Sequence, residues 1–229
     1  MHTVMMRGLL LKAVPYGEAD VVATLLTEEA GLLSALARSA RKSRKRFGAA
    51  FDFYNLLGLE VKPSRAGLSS LVSVELIRSF GRAASDVDAY FALGRMLEIA
   101  RLASREGEGH SSQYALLLSA LKAVEEGAKP GETLRLYQLK TISSLGYSLG
   151  GTVCAACGEI LSGGSSYRAG APHCVGCGGE KSVEVSAGAR KTILAAEKAQ
   201  FGKLRITEAV DGEIGPVVEE ALAHALGTG

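Results

Sequence analysis

Near residue 84 the spacing of apolar side chains changes from every second residue to every third or fourth, and that change divides the chain into two kinds of structure. Before it, short apolar pieces at 5–13, 20–27, 32–38, 51–61 and 71–78 alternate with turn-forming stretches such as Pro15-Tyr16-Gly17, 28–31 and 63–67. Five short strands of this kind predict a small barrel. The 27–31 connection reads as a hairpin loop in which Gly31 supplies a positive φ. After the change, Ser85 and Asp86 can cap a helix carrying Val87, Tyr90, Phe91, Leu93, Met96, Leu97, Ala100 and Leu102 and running to about residue 105. A second helix, 113–126, presents Leu116, Leu117, Ala120, Leu121 and Val124. A third, 132–145, follows the Pro130-Gly131 boundary and presents Leu134, Leu136, Tyr137, Leu139 and Ile142. These stripes read as packing faces of one shared core. Helical spacing returns over 187–199, behind Ser186 as a cap, and over 216–226, with Pro216 in the first turn.

Residues 152–182 obey neither period. They are rich in Gly, Ser and Cys and poor in large apolar side chains, so burial alone cannot fold them. Instead the stretch CAACGEILSGGSSYRAGAPHCVGC sets Cys154 and Cys157 in one C-x-x-C pair and Cys174 and Cys177 in another. Each pair lets two thiolates converge on one cation, and the intervening loop returns the second pair to complete a tetrahedron. Zinc with a structural role fits this donor set, because four thiolates leave no open position for water or substrate. A redox dithiol and an iron–sulfur centre are the competing readings. His173, beside Cys174, reads as a solvent-exposed loop histidine. The H-x-E motif of zinc deaminases does not occur, nor does a phosphate-binding G-x-x-x-x-G-K-[ST] or a G-x-S-x-G nucleophile turn, and His2, His110, His173 and His224 are dispersed. The sequence therefore predicts a protein that is not an enzyme.

The 229 residues, 47% of them hydrophobic, suffice for one large or two ordinary cores. No apolar run is long enough to span a membrane, and the opening MHTVMMRGLLLKAV lacks the apolar length and cleavage site of a signal peptide. A cytosolic protein is expected, one in which disulfides would be unusual.

The formal net charge is only +2, yet six cations, Arg38, Arg41, Lys42, Arg44, Lys45 and Arg46, fall within nine positions, and no acid occurs between Glu29 and Asp52. Six cations between strands cannot be buried, so they form an exposed loop or short turn held at both ends by the sheet. Nothing local neutralises them, which favours a phosphate-binding surface. Small OB-type barrels bind single strands by joining such a groove to aromatic stacking. The nearby aromatics are Tyr16, Phe47, Phe51, Phe53 and Tyr54, and most of them read as core. Binding is then chiefly electrostatic and indifferent to base sequence.

Residues 7–48, RGLLLKAVPYGEADVVATLLTEEAGLLSALARSARKSRKRFG, resemble the opening of the bacterial RecO family: G-x-x-L, Y-G-E-x-D, a T-x-x-x-G hairpin, then a basic segment ending in R-F-G. YQLKTISSLGYSLGGTVCAACG with its partner HCVGC resembles the late helix and four-cysteine zinc module of many members. Elsewhere the likeness is one of helix order and length. The resemblance implies a multi-domain α and β architecture: a five-stranded OB-fold β-barrel at 1–80 that binds DNA, then an all-α helical domain at 81–229 with the zinc module inserted at about 152–182. It implies a recombination mediator that binds single- and double-stranded DNA and anneals complementary strands. With RecR, and often RecF, such a protein helps load RecA onto DNA coated by single-strand-binding protein (SSB), whose acidic, apolar C-terminal tail it recognises. DNA contacts carry over only to the six cations, and metal ligation to the four cysteines. Ser39 stands where the family usually has glycine, so a turn with positive φ there loses its usual support. Rival readings are a zinc-containing adaptor that binds only proteins, a thiol oxidoreductase, and a nucleic-acid chaperone acting on RNA.

Overall fold

The computed structural model describes residues 2–228 except 49, 65–66, 85, 111 and 181, so the Ser85 cap lies outside the described residues, as does the side chain of Arg44. The chain gathers into two compact units, Met1–Glu126 and Gly127–Gly229.

In the first unit, β1 (Val4–Tyr16), β2 (Asp20–Thr27), β3 (Gly31–Ala37), β4 (Asn55–Lys62) and β5 (Ser69–Ser79) form a closed barrel in the order β1-β2-β3-β5-β4. A short helix, α1 (Arg44–Phe47), lies between β3 and β4. All pairings are antiparallel except β3 with β5, where Ala35 meets Ser69 and Leu36 meets Ser70 to close the barrel. Alternating residues fill its interior: Leu10, Val21, Ala23, Leu25, Ala35, Ala37, Leu57, Leu59, Val61 and Leu71. Leu and Ala are modest strand formers, but small Ala35 and Ala37 suit the narrow interior, and burial decides.

The expected hairpin forms, and it does more than turn the chain. Gly31 has φ +67°, and a Cβ there would meet the carbonyl oxygens of Glu108 and Arg105 at 2.6 and 2.7 Å. Thr27 Oγ1 accepts from Ala30 N at 3.0 Å and donates to Gly31 O at 2.9 Å. Against this loop lie Leu32 N→Arg105 O and Gly107 N→Ala30 O, both 3.0 Å, and His110 N→Glu28 O, 2.6 Å. The segment that breaks the helical pattern is thus stitched to the hairpin, and it sets α2 (Val87–Ala103) and α3 (Ser112–Glu125) beside the barrel. Asp86 caps α2, accepting from Ala89 N at 2.8 Å.

The helix α2 is placed as expected, but its apolar stripe is not wholly buried. Leu93, Met96, Leu97 and Ala100 pack inward, whereas Val87, Tyr90 and Phe91 are 69%, 54% and 69% exposed. Neighbouring positions on a helix point about 100° apart, so Tyr90 and Phe91 cannot both join a stripe centred on Leu93 and Leu97.

In the second unit, α4 (Pro130–Ser144) packs on α6 (Ala187–Ala196) and α7 (Glu208–Leu226). The three apolar stripes expected to share one core therefore serve two compact units, α2 and α3 in one and α4 in the other. The helix α7 also begins earlier than Pro216. Thr207 caps it by accepting from Val210 N at 3.4 Å, Glu208 and Asp211 sit in its first turn, and the helix continues through the proline. Pro216 donates no N–H to the Gly212 carbonyl, a loss outweighed by burial of Ile214, Val217, Val218, Ala221 and Leu222. Arg135 of α4 holds Asp211 in that early turn at 2.7 and 3.3 Å.

Between α4 and α6 lies the cysteine-rich module. It contains three strands the sequence did not announce: β6 (Ser165–Arg168), β7 (Ala171–His173) and β8 (Val183–Val185), in the order β7-β6-β8, with α5 (Val175–Gly178) after β7. Tyr167 is buried and donates its hydroxyl to Leu149 O at 3.0 Å. No helix among the described residues is long and apolar enough to cross a membrane.

Candidate nucleic-acid interface and metal centre

The basic segment is anchored by its few apolar side chains. Ala40, Phe47 and Ala50 are 8%, 2% and 3% exposed and belong to the barrel core, while Arg38, Arg41, Lys42, Lys45 and Arg46 project outward. Apolar plugs at 40 and 47 thus hold the ends of a short cationic arch, the second of them on α1. Backbone bonds fix it further: Arg41 N→Ala19 O at 3.0 Å, Lys42 N→Ser39 O at 3.1 Å and Ala50 N→Phe47 O at 2.8 Å. Ser39 adopts φ +54° despite its Cβ, so the left-handed turn survives without glycine.

Among the described residues, none of the five outward cations is paired with a carboxylate. Two are engaged with neutral groups. Arg46 donates to Arg38 O at 3.0 Å and to Ser43 Oγ at 3.1 Å, and its guanidinium lies 5.0 Å from the Phe47 ring centroid. Arg41 reaches Glu18 O at 3.4 Å. Arg38, Lys42 and Lys45 make no side-chain hydrogen bond or ion pair among the described residues. Uncompensated positive charge on a rigid loop attracts polyanions without recognising bases.

Of the aromatics near this segment, Phe47 and Tyr54 are buried and Phe51 is half-buried, stacked on Phe47 at 5.7 Å, whereas Phe53 and Tyr16 are 48% and 61% exposed. Sequence reasoning missed Asp20, which supports Ser39, and it missed the exposure of Tyr90 and Phe91. Two aromatics in adjacent helical positions were a readable signal of the latter.

In the second unit the four cysteines converge. Their sulfurs all lie within 4.8 Å of one another, and Cys157 Sγ is 3.9 Å from Cys174 Sγ. A tetrahedral zinc site with bonds of about 2.3 Å separates its sulfurs by about 3.8 Å, so the cluster fits that ion, while a disulfide needs about 2.05 Å. The ligand loops are built by Gly158 N→Cys154 O at 2.9 Å and Cys177 N→Cys174 O at 3.0 Å. At Gly178 a Cβ would collide with Ser166 Oγ, so the second loop can close against β6 only with glycine. Backbone N–H groups of Cys174 and Cys157 hold the Cys154 thiol down to about 6, whereas the neighbouring thiols, Cys174 first, push Cys177 up to about 12. Crowded sulfurs thus resist carrying several negative charges together, a repulsion that a divalent cation relieves. His173 corrects one expectation: it is not a solvent-exposed loop residue. It is 6% exposed in β7, with Nδ1 3.0 Å from Ala171 O, because the strand pairing turns it inward.

Comparison with known proteins accords with this arrangement. The family model "Recombination protein O N terminal" matches residues 1–80, and "Recombination protein O C terminal" matches 84–229. Similar proteins include the DNA repair protein RecO of Anaeromyxobacter dehalogenans strain 2CP-C, 34% identical over 99% of this chain and 91% of that protein. That of Geobacter sulfurreducens is 30% identical over 98% and 93%, and that of Anaeromyxobacter sp. strain K is 35% identical over 85% and 79%. With both halves matched and the relatives aligned over nearly their full lengths, the chain belongs to the RecO family of DNA repair and recombination proteins.

Proposed function

We propose that this protein is a recombination mediator that binds single- and double-stranded DNA, anneals complementary strands and, with RecR and RecF, helps load RecA onto SSB-coated DNA in the cytoplasm. In this reading, 1–80 is the DNA-binding domain and 81–229 the helical domain that meets the SSB tail. The module at 152–182 is held by zinc on Cys154, Cys157, Cys174 and Cys177. The observation that carries it is the cationic arch: exposed Arg38, Arg41, Lys42, Lys45 and Arg46 without a carboxylate partner among the described residues, in a chain of a DNA repair family. Arg44 joins them by its place in the sequence.

Annealing follows from charge alone. Two strands repel along their phosphates, and a cationic surface that holds both lowers the repulsion while leaving the bases free to pair. No bond is made or broken by the protein. A closed four-thiolate zinc would order the module without taking part, since apparent binding of about 10–16 kcal/mol in small zinc peptides exceeds what so small a core supplies.

The test is annealing of SSB-coated complementary strands with and without the protein. Acceleration that falls with rising salt supports the reading, and no acceleration at low salt refutes it. Competition by RNA at equal potency would instead favour a general nucleic-acid chaperone.

A further inference from the structure

We propose that the cleft between β1 and α2 is a stacking site for the unpaired bases of single-stranded DNA. The inference rests on the DNA-binding reading above and adds a second, chemically different contact to it. The cleft measures about 450 Å³ and is lined by Lys12, Phe53, Tyr90, Phe91 and Arg101, among others.

Three observations converge there. First, Phe53, Tyr90 and Phe91 are each about half exposed or more, although rings of this size normally supply core area. Tyr90 stands edge-on to Phe91, at 6.0 Å and 79°, so the two rings are not spent on stacking with each other. Second, the backbone is strained to display them. Tyr54 holds φ +66°, an uncommon conformation for a bulky side chain, and in doing so it buries its own ring and leaves Phe53 outside. Its hydroxyl donates to Tyr90 O at 3.3 Å, joining the strained segment to α2.

Third, the charge suits a phosphate chain. The β1 register shifts between Leu10 and Lys12, and this bulge leaves Leu11 buried and Lys12 exposed at the cleft. Lys12 and Arg101 have no ion pair among the described residues, whereas Glu98, the acid of the cleft, is paired with Arg95 at 2.9 Å. The site is therefore apolar on its floor and positive at its margin. It also lies close to the cationic arch along the chain: Phe53 follows Arg46 by seven positions, which keeps their Cα atoms within about 25 Å of each other. A strand whose phosphates lie on the arch can place following bases on Phe53 and Phe91. A duplex cannot, because its base faces are already covered, so the cleft would discriminate between the two forms that the arch treats alike.

The experiment uses the full chain and three fluorescein-labelled probes of equal length: oligothymidylate, the same strand with abasic sites, and a duplex. Wild type should bind the base-bearing strand about tenfold more tightly than the abasic one, and Phe53→Ala/Phe91→Ala should lose about that factor. The slope of affinity against salt and the duplex affinity should stay unchanged, because the phosphates contacted are the same. Equal binding of abasic and base-bearing strands by wild type overturns the inference without needing a variant to fold. So does unchanged strand binding by the double variant while a synthetic acidic, apolar peptide loses affinity, which would make the cleft a peptide site. Failure of wild type to bind any probe would instead remove the DNA-binding reading itself.

Discussion

The backbone N–H of Ser39 donates to Oδ1 of Asp20 at 2.7 Å while Ser39 holds φ at +54°. A left-handed conformation costs a residue with a Cβ about 1–2 kcal/mol, and a hydrogen bond to a carboxylate returns a comparable amount. The carboxylate at the start of β2 therefore does the work a glycine would do without help. Ser39→Gly should leave stability unchanged or raise it by up to about 1 kcal/mol, and Asp20→Ala should lower it by about 1–2 kcal/mol. In the double variant the Asp20→Ala penalty should persist, because glycine at 39 keeps the backbone N–H that donates to the carboxylate. Urea midpoints of the four proteins decide this, and an Asp20→Ala penalty that vanishes beside glycine would mean the carboxylate acts through the serine side chain instead.

The quadruple change of Arg41, Lys42, Arg44 and Lys45 to Ala should weaken single-strand and duplex binding together. If all six cations of the arch pair with phosphates, the log–log salt slope approaches about −4 on single strands and −5 on duplex, and the variant should retain roughly a third of it. Titrations at several salt concentrations check this. An unaltered slope would take the segment out of DNA binding.

Arg46 should behave differently from its neighbours. Its guanidinium spans the arch from Ser43 to Arg38 and rests on the Phe47 ring, so it clasps the loop from within. Arg46→Ala should lower stability by about 1–2 kcal/mol, while Lys45→Ala, at an exposed position without a partner among the described residues, should leave it unchanged. Lysine at 46 should rescue charge without rescuing stability, since it cannot reproduce the planar fork. Equal stability of the Arg46→Ala and Lys45→Ala proteins would contradict the clasp.

The barrel was legible because buried positions alternate through the middle of β2 (Val21, Ala23, Leu25) and β4 (Leu57, Leu59, Val61): Asp20–Thr27 falls where the pattern put it, and Gly31 takes the positive φ the hairpin required. The cysteine cluster was legible because C-x-x-C spacing encodes its own geometry. What local pattern could not supply were decisions made elsewhere in the chain. The helix α7 runs through Pro216 because Arg135, distant in sequence, holds Asp211 in the early turn and because the apolar face beyond is buried. His173 is buried because β7 pairs with β6, a pairing that three residues of strand do not announce. Tyr90 and Phe91 were assigned to a packing face because they fall in the run of apolar residues that marks α2; the positions that broke this rule border the proposed stacking site.

Stability of the second unit should fall on its acid side through one identifiable contact. Glu213 Oε2 accepts from Ser186 N at 2.7 Å, and that backbone donor holds the carboxyl below its ordinary value of 4.5. A carboxyl whose folded value is depressed contributes stability above its unfolded value and loses it as pH falls through the folded one. Glu213→Gln should therefore unfold at a lower temperature than wild type at neutral pH, with the gap closing as pH drops below about 4.5. Thermal midpoints from pH 7 down to 3 read this directly. A gap that widens towards acid would show that the contact does not favour the ionised form.

Metal removal should unfold the module and spare the barrel. Leu161, Tyr167, Pro172 and Val185 are the large apolar side chains buried around the cysteines among the described residues, too few to hold three short strands without the cluster. Cys154→Ala/Cys174→Ala should abolish stoichiometric zinc and speed amide exchange across 152–182 by orders of magnitude, while exchange in β1–β5 and the salt slope of DNA binding remain as in wild type. In the unaltered protein, zinc release should grow as pH falls, because protons compete with the metal for four thiolates. Elemental analysis with a chromogenic chelator across pH follows the release, and exchange mass spectrometry locates the loss. If the cysteine variant kept protection in β6–β8, the strands would be holding themselves and the cluster would need another explanation.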